Sequence, residues 1–246
     1  MSDIFISDLH LGPERPELYR AFCNFLAGLD ESVEQLYILG DLFDVWVGHD
    51  KQNHFQAEVI ARLKMLEKRR IRLFVMRGNR DFLYGKRFAR ETGATLLPDY
   101  YLYQCGAHRA LLMHGDLLCT QDTDYLRYRA VVRNPLLQSL LGGLPASLRR
   151  GIASRIRNKS KQAQSGKSMQ IMDITEQALF ETTQKYSVGR VIHGHTHRPG
   201  VSLHKTPGRQ VERLVLGDWG EKVWWIVRDS NGFSLQSRQL SQLSGN

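Results

Sequence analysis

Short apolar runs alternate with segments of helical spacing along most of the chain. Asp3–Ser7, Gln35–Leu39, Ile71–Met76, Arg109–Met113, Arg190–Ile192 and Glu212–Leu216 have the near-continuous apolar character of buried strands. Val223–Arg228 and Phe233–Gln236 are two further strand candidates. Between them, Glu17–Leu29 and His54–Arg69 repeat apolar positions at helical intervals, with Phe55, Val59, Leu63 and Leu66 on one face of the second. Lys167–Lys185 is a third helix candidate. Strands alternating with helices predict an α/β fold whose sheets are covered on their faces.

The rhythm breaks between about residues 121 and 165. This segment has no strand pattern, reads as helical, and is punctuated by Pro135, Gly142-Gly143 and Pro145. A chain of 246 residues can bury one large core, so the pattern predicts a single domain over 1–246 with a helical insertion at about 121–165. Charge sharpens that reading. The net charge is +9, and ten Lys/Arg against two Asp lie between Gln121 and Lys167, leaving the rest of the chain nearly neutral. A local basic block implies an anionic partner: phosphate, nucleic acid or acidic lipid headgroups.

Cys23, Cys105 and Cys119 are widely separated and form no C-x-x-C pair, which argues against a disulfide framework or a zinc-thiolate site and fits a reducing compartment. The acidic start Met1-Ser2-Asp3 is unlike a secretory signal, and no run approaches the roughly 18 apolar residues of a spanning helix. A cytoplasmic protein is expected, free to rest on a membrane surface.

The chemistry lies at the strand ends. Asp8-Leu9-His10 follows the first strand and Gly40-Asp41 the second. Gly78-Asn79-Arg80-Asp81, His114-Gly115-Asp116 and Gly194-His195-Thr196-His197 follow the next three. In α/β sheets the carboxyl ends of strands gather distant residues at one edge, and neighbouring glycines relieve crowding where the backbone turns. A lone Asp or His at such a place is usually a turn former or cap; seven O/N donors at five strand ends are not. Carboxylate, amide and imidazole without thiolate suit Mn²⁺, Fe²⁺ or Mg²⁺.

The series D-x-H, G-D, G-N-x-D, H-G-D, G-H-x-H, spanning Asp8 to His197, resembles the calcineurin-like metallophosphoesterase superfamily. The resemblance implies a four-layer α-β-β-α sandwich and two metal ions. It would place Asp8, His10, Asp41 and His197 on one ion and Asp41, Asn79, His114 and His195 on the other, with Asp41 and a water or hydroxide bridging them. Two cations about 3.5–4 Å apart clamp a phosphoryl centre and bring the pKa of water from about 15.7 towards about 7.

One position narrows the family. Members that cleave alkoxide esters commonly carry G-N-H-[DE], the histidine serving as acid for the leaving oxygen; here Arg80 stands there. A phosphate monoester, with a second pKa of about 6, departs as an anion and needs positive charge rather than a proton, which an arginine supplies. Arg80 therefore favours pyrophosphate cleavage over a plain salt bridge beside Asp81.

Together G-N-R-D-F-L, H-G-D-x-L-C-T and I-H-G-H-T-H-R-P resemble the UDP-2,3-diacylglucosamine hydrolase (pyrophosphatase) family of lipid A biosynthesis nearly end to end, the basic insertion included. That resemblance implies cleavage to UMP and 2,3-diacylglucosamine 1-phosphate, usually with Mn²⁺, by hydroxide attack on the nucleotide-side phosphorus. It implies catalytic roles for Asn79, Arg80 and His195. Substrate contacts would come from Asn79, Arg80, Asp122, Ser160, Gln164, Lys167 and His195.

The insertion becomes a basic lid whose Leu136, Leu137, Leu140, Leu141 and Leu144 meet acyl chains, and the enzyme a peripheral protein on the anionic, cytoplasmic face of the inner membrane. No nucleic acid and no obligate protein partner are expected. Two departures from the family pattern F-E-x-W-x-G-D-D stand out: Asp44 keeps the charge with a shorter reach, and His49 replaces a carboxylate; separately, Gln164 stands where asparagine is expected. His193 reads as a strand-end residue behind the ligands. The alternatives are a nucleic-acid or nucleotide phosphodiesterase of the same superfamily, which the basic insertion would suit, and a non-catalytic scaffold that has lost its metals, which an unbroken ligand series contradicts.

Overall fold

The computed structural model describes residues 1–246 except 51, 52, 146, 150, 153–172, 207 and 246. Its first sheet is built from β1 (Ser2–Ile6), β2 (Val33–Ile38), β3 (Arg72–Val75), β4 (Thr95–Leu96), β10 (Lys222–Asp229) and β11 (Gly232–Gln239), in the order β11-β10-β1-β2-β3-β4. The second contains β5 (Tyr101–Cys105), β6 (His108–Leu112), β7 (Arg190–His193), β8 (Gly200–Thr206) and β9 (Arg209–Val215), in the order β5-β6-β7-β9-β8. β1 to β4 run parallel, as do β6, β7 and β9, while antiparallel strands close every edge but the one at β4.

The continuous apolar runs are explained by the period-two alternation of a strand buried on both faces. Ile4, Ile6, Leu36, Ile38, Leu73 and Val75 belong to one core, packed against α1 (Pro16–Ala27), α2 (His54–Lys64) and α3 (Lys86–Thr92). Their alternates Phe5, Tyr37, Leu39 and Met76 join Tyr103, Ala110, Leu112, Ile192 and Leu214 in a second core between the sheets. Leu111, Met113 and Val191 point the other way, into a third core with Ala178 and Leu179 of α6 (Glu176–Lys185). Three apolar seams separate four layers, helix–sheet–sheet–helix, as expected. Between the sheets Phe5, Tyr37 and Phe74 stack across three adjacent strands at centroid spacings of 4.9 and 4.6 Å.

Local signals set the helix limits. Pro16 opens α1, Asn53 caps α2 by accepting from Gln56 N, and Gly93 ends α3 in a left-handed conformation at φ 75°. The helix expected over Lys167–Lys185 begins at Glu176, because the Thr175 side chain accepts from Ala178 N and caps it there; residues 167–172 lie outside the described set. Within the insertion, α4 (Thr123–Val132) and α5 (Pro135–Gly143) are helical, capped by Asp122 and Asn134. The sequence pattern did not reveal β4, β5, β8 or α3. A short α7 (Leu240–Ser244) closes the chain against α1.

Candidate metal centre and active site

The carboxyl ends of β1, β2, β3, β6 and β7 open together, and backbone bonds lace their loops. Asp8 N donates to Gly40 O at 3.1 Å, His10 N to Asp41 O at 3.0 Å and Gly194 N to His114 O at 2.9 Å. Asp8, His10, Asp41, His195 and His197 all have left-handed backbones, with φ between 48° and 65°, a region L-residues enter at a cost of about 1–3 kcal/mol each. Gly40 and Gly115 turn at φ 97° and 118°.

Gly78 and Gly194 are glycine for a different reason. A Cβ at Gly78 would lie 2.0 Å from Asp41 Oδ1, and one at Gly194 would lie 2.0 Å from Asp8 Oδ2. Both carboxylates sit where a side chain would otherwise be.

All seven predicted donors converge. His10 Nε2 and His197 Nε2 are 3.3 Å apart, and His197 Nε2 is 3.3 Å from Asp8 Oδ1. Asn79 Oδ1 lies 2.8 Å from His114 Nε2 and 3.0 Å from His195 Nδ1. Asp41 stands between, with Oδ2 3.9 Å from His10 Nδ1 and Oδ1 3.8 Å from His114 Nε2. Two triplets, Asp8–His10–His197 and Asp8–Asp41–His114, present donor atoms within 4.8 Å of one another. The buried His10 Nδ1 has no hydrogen-bond partner, and Asp8 Oδ1 has only the His197 ring beside it. Buried donor atoms left short of hydrogen-bond partners beside such triplets are what a bound cation satisfies, and an O/N set of this kind fits hard to borderline divalent ions.

The electrostatics are those of charges packed together away from water. Burial pushes Asp41 up to about 7, assisted by Asp81 and Asp8 and opposed by His114. His195 falls to about 4 through burial and the nearby His114, and His10 is lowered by burial and Arg80. Against the pull of burial, Asp41 and Asp8 raise His114, the bond to Asp8 raises His197, and His197 and His114 depress Asp8.

Arg80 lies at the rim of this cluster, its side chain 31% exposed. Its Nη1 donates to Asp44 Oδ1 at 2.7 Å, its Nε is 3.7 Å from Asp41 Oδ2, and its amide donates to Asp41 Oδ1 at 2.9 Å. The salt-bridge partner is thus Asp44, which keeps the charge of the family carboxylate, while His49 pairs with Glu91 at 3.1 Å. Asp122 caps α4 by accepting from Tyr125 N at 3.1 Å. Ser160, Gln164 and Lys167 lie outside the described residues.

Three insertion arginines face inward. Arg129 joins Asp116 and Asp99, both at 2.7 Å; Arg133 donates to Arg77 O and Gly78 O; Arg149 donates to Val47 O and His49 O. They fasten the insertion to the loops of the site, so the expectation that the basic block as a whole meets an anion is corrected for these three.

Sequence reasoning left three supports out of the site, two of them buried carboxylates. Asp81 accepts from Leu42 N, Gly78 N and the Tyr84 hydroxyl. Asp116 accepts from the Tyr125 hydroxyl at 2.5 Å as well as from Arg129. Tyr125 in turn has its ring 5.9 Å from that of His195. The acidic ends of G-N-x-D and H-G-D were the available signal for the two carboxylates.

A calcineurin-like phosphoesterase family model matches residues 4–199, the stretch that holds all seven donors. The chain belongs to the calcineurin-like phosphoesterases. It is also 44% identical over 97% of its length to the UDP-2,3-diacylglucosamine hydrolase of Ectopseudomonas mendocina, covering 98% of that protein. The enzyme of the same description from Enterobacter sp. (strain 638) is 45% identical over 96% of this chain and 98% of its own, and that from Hahella chejuensis 44% identical over 99% and 100%. This phosphoesterase is therefore collinear with those hydrolases across the core and the insertion alike.

Proposed function

We propose that the chain hydrolyses the pyrophosphate bond of UDP-2,3-diacylglucosamine, yielding UMP and 2,3-diacylglucosamine 1-phosphate. The observation that carries this is Arg80, held by Asp44 at the rim of the donor cluster in a chain collinear with hydrolases of that name. Asp8, His10, Asp41 and His197 would hold one divalent cation and Asp41, Asn79, His114 and His195 a second, a division that the intermediate position of Asp41 supports. Bound there, two such ions, Mn²⁺ first, would supply Lewis acidity and a water acidified enough to ionise near neutral pH.

The chain's own side chains do the rest. Asn79 and His195 line the reacting phosphoryl position, and the Arg80 guanidinium offers fixed positive charge to the departing phosphate. Asp44 keeps that guanidinium turned towards Asp41. Attack falls on the nucleotide-side phosphorus, because the group beside the basic insertion is the one positioned to leave. The insertion, about 121–165, acts as a lid: Asp122, Ser160 and Gln164 within it and Lys167 just after it contact substrate, and Leu136 and Leu140, 76% and 71% exposed, meet acyl chains or lipid.

A diacylated substrate resides in a bilayer, since burial contributes about 0.8 kcal/mol per CH₂. The enzyme then works as a peripheral protein at the anionic cytoplasmic face of the inner membrane. Among the described residues no helix is long and apolar enough to cross a membrane. The test is purified protein with UDP-diacylglucosamine and Mn²⁺ in heavy-oxygen water. Labelled UMP with unlabelled sugar phosphate is expected. Label in the sugar phosphate would reverse the substrate, and no UMP together with cleavage of cyclic nucleotides or single-stranded DNA would replace the proposal with a phosphodiesterase.

A further inference from the structure

His193 ends β7 and is completely buried beside the ligand loop, and its ring nitrogens bond to Gly194 O and Arg213 rather than to a donor of the cluster. Arg213, from the adjacent strand β9, donates through Nε to His193 Nε2 at 2.9 Å. A guanidinium has no acceptor, so Nε2 carries the lone pair and the ring proton resides on Nδ1. Nδ1 lies 2.8 Å from Gly194 O and donates to it.

That carbonyl belongs to the 194–195 peptide, and the other end of the same unit, His195 N, donates to Asp8 Oδ2 at 2.9 Å. The peptide plane is therefore gripped at both ends. Gly115 packs against the grip: a Cβ there would fall 2.6 Å from His193 Nδ1 and 3.0 Å from Gly194 O. Rotation of the peptide would break one bond or the other, and His195, held at φ 65°, would then relax out of that left-handed conformation. Behind Arg213, Asp173 Oδ1 stands 3.6 Å from Nη2, and Asp173 also pairs with Arg198.

We infer that His193 and Arg213 are positioning residues for His195, fixing the peptide that aims its imidazole, and that Asp173 holds Arg213 in place for this task. The inference rests on the proposed role of His195 as a metal donor. Residues that orient a metal-bound histidine typically contribute 10–100-fold to metal affinity.

Mn²⁺ binding to metal-stripped protein, followed by the electron paramagnetic resonance of the free ion, tests it without any turnover. His193→Asn retains a donor at the Nδ1 position and should bind within about threefold of the parent. His193→Gln can accept from Arg213 but not reach Gly194 O, and it should weaken one of two Mn²⁺ equivalents by roughly 10–100-fold; Arg213→Met, which frees the tautomer, should fall between. The thermal midpoints of the Asn and Gln variants should be alike, since a merely structural role would track stability rather than the Gly194 bond. Parental Mn²⁺ affinity in His193→Gln, or equal weakening in both histidine variants, overturns the inference. His195→Ala separates the two levels: if it leaves both equivalents intact, the reading of the metal centre fails instead.

Discussion

Replacing Asp81 by alanine should loosen the loops that carry Asp41 and Asn79 without altering either residue. Asp81 is completely buried; its Oδ1 accepts from Gly78 N at 2.7 Å, and its Oδ2 from Leu42 N at 2.8 Å and the Tyr84 hydroxyl at 2.6 Å. Gly78 directly precedes Asn79, and Leu42 directly follows Asp41, so one carboxylate clips two ligand loops together. Asp81→Ala leaves two buried amides without acceptors, at about 1–3 kcal/mol each. Part of this is offset because burial itself disfavours the carboxylate and raises its pKa. A net loss of about 3 kcal/mol follows, equivalent in a chain of this size to roughly 6–12 °C of melting temperature. The looser loops should also weaken Mn²⁺ binding by roughly 10–100-fold, so added metal should raise the midpoint less than it does in the parent. Thermal melts with and without Mn²⁺, beside a Mn²⁺ titration, read both quantities. Tyr84→Phe is the control: it removes one donor and orphans no amide, so metal affinity should stay near the parental value. A melting temperature within 2 °C of the parent, with Mn²⁺ affinity within about twofold, would refute the clip.

Three further outcomes are expected. Arg80→Ala should lower kcat for pyrophosphate cleavage by roughly 10²–10³, Asp44→Ala by less, and Arg80→His should not restore it; full activity in the histidine variant would sink the leaving-group argument. Asp41 is pushed up to about 7 by burial in the metal-free chain. A cation must therefore displace its proton below that pH, and Mn²⁺ should bind more weakly at pH 6 than at pH 8 by isothermal titration, up to about tenfold per unit; equal affinities would contradict the assignment. Sedimentation with vesicles should show binding to anionic lipid that weakens with salt, at about 1 kcal/mol per Lys/Arg near the surface, and salt-independent binding to neutral vesicles would oppose a peripheral electrostatic role.

The layers and the seven donors were legible for a common reason. A strand buried on both faces must be apolar at nearly every position, so its end is marked by an abrupt turn to polar residues; Asp41 and His114 are the first of these, and Asp8, Asn79 and His195 follow within one to two positions, after Ser7, Arg77 and His193. β5 and β8 lie at sheet edges, where only alternate positions are covered. Tyr103 is buried while Leu102 is exposed, and Val201 and Leu203 lie open on β8, so neither strand has a continuous apolar run to find. Asp81 and Asp116 were hidden by proximity, each being one of several polar residues after a strand, and only the fold tells a donor facing the cluster from one facing a loop amide. Arg129, Arg133 and Arg149 raised a different difficulty. Charge counting cannot tell an arginine that meets solvent from one whose guanidinium ends on a carbonyl such as Gly78 O.

The glycines beside the ligands carry the last step. Crowding at turns accounts for Gly40 and Gly115, both at positive φ, but not for Gly78 and Gly194, which have none. Those two make room for carboxylates that are themselves pinned, Asp8 Oδ2 by Ser7 Oγ at 2.6 Å and His195 N at 2.9 Å, Asp41 Oδ1 by Arg80 N at 2.9 Å. Meanwhile five of the seven donors, Asp8, His10, Asp41, His195 and His197, take left-handed conformations while Gly78 and Gly194 beside them do not. A loop free to choose would put glycine at φ near 55° and leave Asp and His in relaxed backbone. Here the side chain is indispensable at those positions, so the backbone bends around it and neighbouring bonds hold the strain. Such an arrangement brings the donor atoms together in the absence of any ligand, and a cation binding there would find the ordering entropy already spent.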